Sequence, residues 1–102
     1  MRMLVFFDLP VVTRAERRAY TLFRRFLIND GYDMIQYSVY GRIVNGSDAE
    51  KKHMKRLVNN LPSDGSIRML TVTEKQFASM AILVGLPLFQ EKQVTTDQML
   101  LF

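Results

Sequence analysis

Five consecutive apolar residues, Met3-Leu4-Val5-Phe6-Phe7, stand near the start of the chain and stop at Asp8-Leu9-Pro10. A short unbroken apolar run bounded by a breaker reads as a fully buried strand. Pro10 has no N–H to offer a ladder, so the strand ends before it. Alternation sends Met3, Val5 and Phe7 to one face and Leu4 and Phe6 to the other. Both faces are apolar, and helices packed on one side of a sheet cover only one of them. The bare face needs a second layer, and a twofold copy of the same chain is the simplest. The sequence therefore predicts a homodimer joined sheet to sheet.

The next segment is helical. Thr13-Arg14-Ala15-Glu16 fits a capping box, with Thr13 as N-cap. Asp30-Gly31 supplies the stop, because Gly31 suits the left-handed residue after a helix. At ~100° per residue, Ala15, Ala19, Leu22, Phe23, Phe26 and Leu27 share one side. Arg14, Arg17, Arg18, Arg24 and Arg25 fall within roughly 120° of the other.

Met34 to Val44 reads as strand, with Ile35, Tyr37, Val39 and Ile43 alternating against Gln36, Ser38, Tyr40 and Arg42. Gly41 suggests a bulge or bend. No two-residue hairpin signal is present, so one bent strand and two short ones fit equally. After the Asn45-Gly46 turn, Ser47-Asp48-Ala49-Glu50 fits a second capping box. A helix follows with Met54, Leu57, Val58 and Leu61 as its apolar stripe and Lys51, Lys52, Lys55 and Arg56 on the wet side. Ser66 to Thr73 is a strand, Glu74 to Ser79 one helical turn capped by Thr73 and Gln76, and Ala81 to Val84 a further strand. The order predicts an α+β sandwich of ferredoxin-like βαββαβ type with an extra C-terminal strand. The apolar end Met99-Leu100-Leu101-Phe102 suggests docking, as an added strand.

Composition narrows the function. A chain of 102 residues, 48% hydrophobic and 24% charged, makes one small globular domain. The absence of cysteine excludes a disulfide scaffold, a zinc knuckle and a thiol nucleophile, and suits a reducing cytosol. The longest apolar stretch, Met80 to Phe89, is about half of the ~20 residues a membrane span needs, and Pro87 interrupts it. The expectation is a soluble intracellular protein with no membrane partner. A net charge of +4 favours polyanionic partners if the cations cluster.

They do cluster on the first helix. Five arginines share its face with no acid between them, and arginine is the cation best shaped for phosphate. The alternative is an ordinary solvated helix surface. Asp8 is the other candidate: a carboxylate on a rigid strand end beside a cationic helix. Asp is also common in turns and caps. Mg²⁺ often takes only one or two protein carboxylates, so a twofold pair of Asp8 side chains would supply its ligands. His53 falls on the polar side of the second helix and reads as a surface residue. Ser38, Ser63 and Ser79 lack a triad context, and the seven methionines read as packing. Tyr37 and Tyr40 are suited to stacking on bases, although strand aromatics more often serve a core or interface.

Taken together, these segments resemble the CRISPR-associated protein two family, the small subunit of the spacer-acquisition machinery. The matching pieces are Met3-Leu4-Val5-Phe6-Phe7-Asp8-Leu9-Pro10, the Arg-rich helix closing at Gly31, Gln36-Tyr37-Ser38-Val39-Tyr40, and Leu70-Thr71-Val72-Thr73 followed by Lys75-Gln76-Phe77. The Thr-Glu-Lys-Gln-Phe stretch looks most like the variety that accompanies type II-A systems. The resemblance runs to about Gly85. It implies a ferredoxin-like domain over 1–85 and a tail over 86–102 that adds to the partner protomer's sheet. It implies a face-to-face homodimer in the bacterial cytoplasm that bridges dimers of the CRISPR-associated integrase subunit and lies under a double-stranded DNA prespacer. It also implies a second activity, Mg²⁺-dependent endonuclease cleavage of single-stranded RNA or double-stranded DNA, with Asp8 as the catalytic and metal-binding acid. A toxin-like ribonuclease of the same fold is a further alternative.

Overall fold

The computed structural model describes residues 1–85. Its elements follow the chain as β1 (Arg2–Asp8), α1 (Arg14–Asn29), β2 (Asp33–Gln36), β3 (Val39–Ile43), α2 (Gly46–Val58), β4 (Ser66–Val72) and α3 (Glu74–Ala78). The strands form one antiparallel sheet in the order β2-β3-β1-β4. This is the ferredoxin-like arrangement, in which each βα unit returns its next strand to the sheet one place removed.

The apolar run of β1 lies inside that sheet, hydrogen-bonded to β3 on one side and β4 on the other. Met3, Val5 and Phe7 face α1 and α2 and join Phe23, Leu27, Tyr32, Tyr40, Val44 and Leu57 in one core. Phe7 stands at its aromatic centre, 5.3 Å edge-on to Phe23 and 5.6 Å from Tyr40 between ring centroids. α1 and α2 cover only this side, while α3 meets the edge of the other, where Arg2 bonds Glu74 and lies 4.1 Å from the Phe77 ring. On the other face Leu4 pairs across to Leu70 and Gly41, and Phe6 to Val39 and Arg68. Phe6, Leu70 and Ile43 remain 36%, 53% and 53% exposed there.

Local signals at the two ends of α1 form as read. Thr13 and Glu16 exchange both capping-box bonds. At the other end the Tyr32 N–H reaches the Leu27 carbonyl and the Gly31 N–H that of Ile28, a Schellman closure with Gly31 at φ +90°. The buried stripe differs from the expected one. Leu22 and Ala15 are exposed, whereas Tyr20 packs on the core beside Phe23, Phe26 and Leu27.

Of the two arrangements open for Met34 to Val44, two strands form, joined by a two-residue hairpin at Tyr37-Ser38 that carried no hairpin signal, with Ser38 at φ +63°. Four further readings need correction. The irregularity falls in β2, between Met34 and Gln36, and not at Gly41. Gly41 is required for close approach instead: a Cβ there would lie 2.8 Å from Ile35 Cδ1 and 2.9 Å from Leu4 Cδ2. The second capping box does not form, since α2 starts at Gly46 behind Asn45, which makes no side-chain cap bond. Its inner stripe is rotated towards His53 and Leu57, leaving Val58 and Leu61 exposed. Finally, Ala81 to Val84 is not a strand. The expected tail over 86–102 lies outside the described residues. Among those described, no helix is long and apolar enough to cross a membrane.

Candidate functional site

Asp8 is the last residue of β1 and faces the open side of the sheet, opposite Ser66 of β4. The turn before β4 packs against its main chain. Gly65, at φ +101°, approaches so closely that a Cβ would sit 2.8 Å from the Asp8 carbonyl oxygen and 2.5 Å from Leu9 Cδ2. Only glycine combines that φ with that clearance. The Asp8 backbone is thereby fixed while its side chain stays exposed. On its other flank the Phe7 N–H donates to the Ser38 carbonyl at 3.0 Å, so the β2–β3 turn is tied to the same end of β1.

The five arginines of α1 divide into two kinds. Arg14, Arg17, Arg18 and Arg25 line an open groove with Thr21 and Leu22. Within it, Arg17 is partly committed: its Nη1 donates at 2.6 Å to the Val12 carbonyl and braces the loop before the helix. Arg14, Arg18 and Arg25 have no carboxylate within ion-pair distance among the described residues. Arg24 turns the other way, its Nε donating at 2.8 Å to the Tyr40 hydroxyl at the edge of the core. The shared-face expectation thus holds for the groove of four and not for Arg24.

Glu16, the acid in the first turn of α1, is occupied as a cap. The backbone N–H of Thr13 donates to its carboxylate at 2.8 Å and holds it below the usual carboxylate range, with Val12 adding a second bond. Burial pushes the Tyr20 hydroxyl up, and the Tyr40 and Tyr37 hydroxyls nearby push the same way. Tyr20 and Tyr40 both pack on Phe7, and with Arg24 they gather at one edge of the helix layer. Tyr40 is 1% exposed, which removes it as a stacking residue, whereas Tyr37 is 83% exposed at the hairpin tip.

His53 is not a surface residue. It is buried, and its Nδ1 lies 2.9 Å from Asp30 Oδ2, while Arg56 donates at 2.9 Å to Asp30 Oδ1. Arg42 donates to the Asp30 carbonyl and also approaches His53 Nδ1. An ionised carboxylate only accepts, so the imidazole Nδ1–H is assigned to Asp30, and the approach of Arg42, itself only a donor, to the same nitrogen is then no hydrogen bond. His53 stands four residues after Ala49 and four before Leu57, so the period that could have placed it inside was present, but its polar side chain read as a surface residue; its partner Asp30 was visible only as a helix stop. Above this cluster the Tyr32 hydroxyl is buried without a partner among the described residues, and burial pushes it up to about 12. No group of three or more His, Cys, Asp or Glu side chains converges among the described residues.

This arrangement can be compared with known proteins. Residues 1–80 match the family model of the CRISPR associated protein Cas2. A CRISPR-associated endoribonuclease Cas2 of Acidovorax ebreus is 76% identical over 102 residues, covering all of both chains. One of Streptococcus mutans is 47% identical over 85 residues, which is 83% of this chain and 78% of that one. The crystal structure of Streptococcus pyogenes Cas2 at pH 6.5 superposes with a TM-score of 0.64 at 21% identity, over 82% of this chain and all of that one. That likeness concerns the fold, and the order β2-β3-β1-β4 with both helices on one face is its content here. A family model over residues 1–80 and a relative 76% identical over the full chain agree, and the chain belongs to the CRISPR-associated Cas2 family.

Proposed function

We propose that the chain is the homodimeric DNA-holding subunit of a spacer-integration complex, working in the bacterial cytoplasm between dimers of an integrase subunit. The observation that carries this reading is the groove of Arg14, Arg18 and Arg25, cations with no carboxylate partner among the described residues, on a helix backed by a rigid sheet. A duplex offers phosphates along its backbone, and arginines contact them without reading sequence. The exposed Phe6, Leu70 and Ile43 on the opposite face support pairing of two copies sheet to sheet, which presents two such grooves on one body. A dimer of that kind sets a fixed span for whatever binds at its ends.

Binding of duplex DNA as a function of salt tests the proposal. Three phosphate contacts per protomer give a log–log slope of about −5 for the dimer. Arg14→Ala with Arg18→Ala is expected to flatten it by about 3 to 4, from the loss of two contacts per protomer. A slope near zero in the parent chain, or one unchanged in the double variant, overturns the reading.

A second reading, Mg²⁺-dependent nuclease, is favoured by the exposed Asp8 carboxylate on the open face and by the names of the relatives, which are called endoribonucleases. One carboxylate per chain is a sparse set, but Mg²⁺ accepts one or two and keeps several waters, so a pair of Asp8 side chains across a twofold axis fits it. The ion, when bound, supplies a polarised phosphate and an acidified water. The chain's part is to hold Asp8 rigid through Gly65 and the Phe7–Ser38 bond. Asp8→Asn is expected to reduce Mg²⁺-dependent cleavage of single-stranded RNA to the rate measured in chelator, with duplex binding retained. Cleavage at the parent rate removes Asp8 from the mechanism.

A further inference from the structure

One aromatic side chain has no place in either the core or the expected dimer face. Tyr37 is 83% exposed at the tip of the β2–β3 hairpin, and its hydroxyl makes no hydrogen bond among the described residues. The turn that presents it is unusual. Two-residue hairpins favour glycine, asparagine or aspartate at left-handed positions, yet here Ser38 adopts φ +63°. A non-glycine residue in that region is uncommon and concentrates at sites where the backbone serves a purpose. The Ser38 carbonyl receives the Phe7 N–H at 3.0 Å, so Tyr37 and Asp8 flank a single hydrogen bond from opposite strands.

The surroundings complete the picture. Phe7, whose N–H holds the hairpin at Ser38, packs its ring 6.0 Å from Tyr20 and 5.6 Å from Tyr40, so the hairpin is tied to the α1 side of the rim. Arg24 stands there as well, with Nε bonded to Tyr40 and no bond to its two terminal nitrogens among the described residues. An exposed aromatic face beside a free guanidinium edge matches a nucleotide, with the base on the ring and its phosphate on the cation.

We propose that Tyr37 is a stacking platform for an unpaired nucleobase, with Arg24 holding the adjoining phosphate, so that a single strand is fixed where β1 ends at Asp8. The assignment deepens the nuclease reading and rests on its choice of nucleic acid as substrate. A duplex does not use this platform, because its base faces are already stacked on one another. Tyr37 is thus a determinant of preference for single strands, and the groove of Arg14, Arg18 and Arg25 serves duplex and single strand alike.

The chain contains no tryptophan, so Tyr37→Trp installs one fluorophore at the platform and keeps an aromatic ring there. The full chain is titrated in chelator, without cleavage, with a single-stranded oligonucleotide, the same strand with abasic sites, and a duplex. Quenching is expected with the first only. Tyr37→Ala is expected to lose about tenfold or more in single-strand affinity with duplex affinity unchanged, and Tyr37→Phe to keep both. Equal losses on both substrates, or undiminished quenching by the abasic strand, overturn the assignment. So does emission that shifts with protein concentration alone, which would make Tyr37 part of a contact between copies. Asp8→Asn combined with Tyr37→Trp separates the two readings. Quenching retained while Asp8→Asn cuts at the parent rate leaves the platform standing without the nuclease, and quenching lost while cleavage needs Asp8 does the reverse.

Discussion

A chain carrying Phe6→Glu and Leu70→Glu together is expected to sediment as a monomer at concentrations where the parent is a dimer. Both residues lie on the sheet face that α1 and α2 leave open, 36% and 53% exposed, on the adjacent strands β1 and β4. Around them Val39, Ile43, Val72 and the buried Leu4 continue the apolar surface. A second copy laid on this face removes the patch from water at about 25 cal/mol per Å². Two carboxylates per protomer in the middle of that patch would be buried without partners, which costs several kcal/mol each. The expected dissociation constant rises by at least about 1,000-fold, the equivalent of roughly 4 kcal/mol. Because both side chains point away from the helix-covered core, far-UV circular dichroism should stay that of the parent. Light scattering or sedimentation equilibrium decides the matter. A double variant that remains dimeric, or a parent that is monomeric at micromolar concentration, would sink the proposed pairing.

Asp30→Ala is expected to destabilise the fold by about 3 kcal/mol or more in chemical denaturation, the usual consequence of removing one partner from a buried ionic cluster. The Asp30 side chain is 7% exposed and His53 8%, so water cannot replace the lost carboxylate. His53, Arg42 and Arg56 would be left as neighbouring donors with no acid between them. The pH dependence gives an independent readout. Burial pushes the Asp30 carboxyl up, but hydrogen bonds from His53 and Arg56 outweigh it and hold it below its ordinary 3.8. A carboxyl lower in the folded than in the unfolded state contributes stability that is present above the unfolded value. That contribution is lost as pH falls below about 3.8 and through the folded value. The parent should therefore lose stability steeply in that acid window, and Asp30→Ala should run flatter there. A loss under about 0.5 kcal/mol, with parallel pH curves, would mean that the cluster is no more than a surface ion pair.

How far the residues alone led depends on the range of the interaction. The capping box at Thr13 and Glu16, the Schellman stop at Gly31, the single turn capped by Thr73 and Gln76 and the end of β1 before Pro10 were all legible. Each rests on groups within a few residues of one another. Between Met34 and Val44 the residues left one bent strand and two short ones equally open. Alternation separated Val39 and Ile43 from Tyr40 and Arg42 without marking which set is buried, because the open face carries apolar residues too. In the fold Tyr40 is in the core and Ile43 is exposed. The same ambiguity hid the hairpin, because Ser38 carries none of the usual turn signals.

At the candidate site, Asp8 and the cationic face of α1 could be found in one dimension, since a strand end and a helical period place them. The bracing of Asp8 by Gly65, the diversion of Arg24 to Tyr40 and the burial of His53 against Asp30 could not. Those contacts join residues far apart in the chain. The linear order of side chains determined most of the elements, the capping boxes of α1 and α3, and the family. The tertiary structure alone decided which polar groups meet, because a buried ion pair or a close backbone approach depends on where distant segments come to rest.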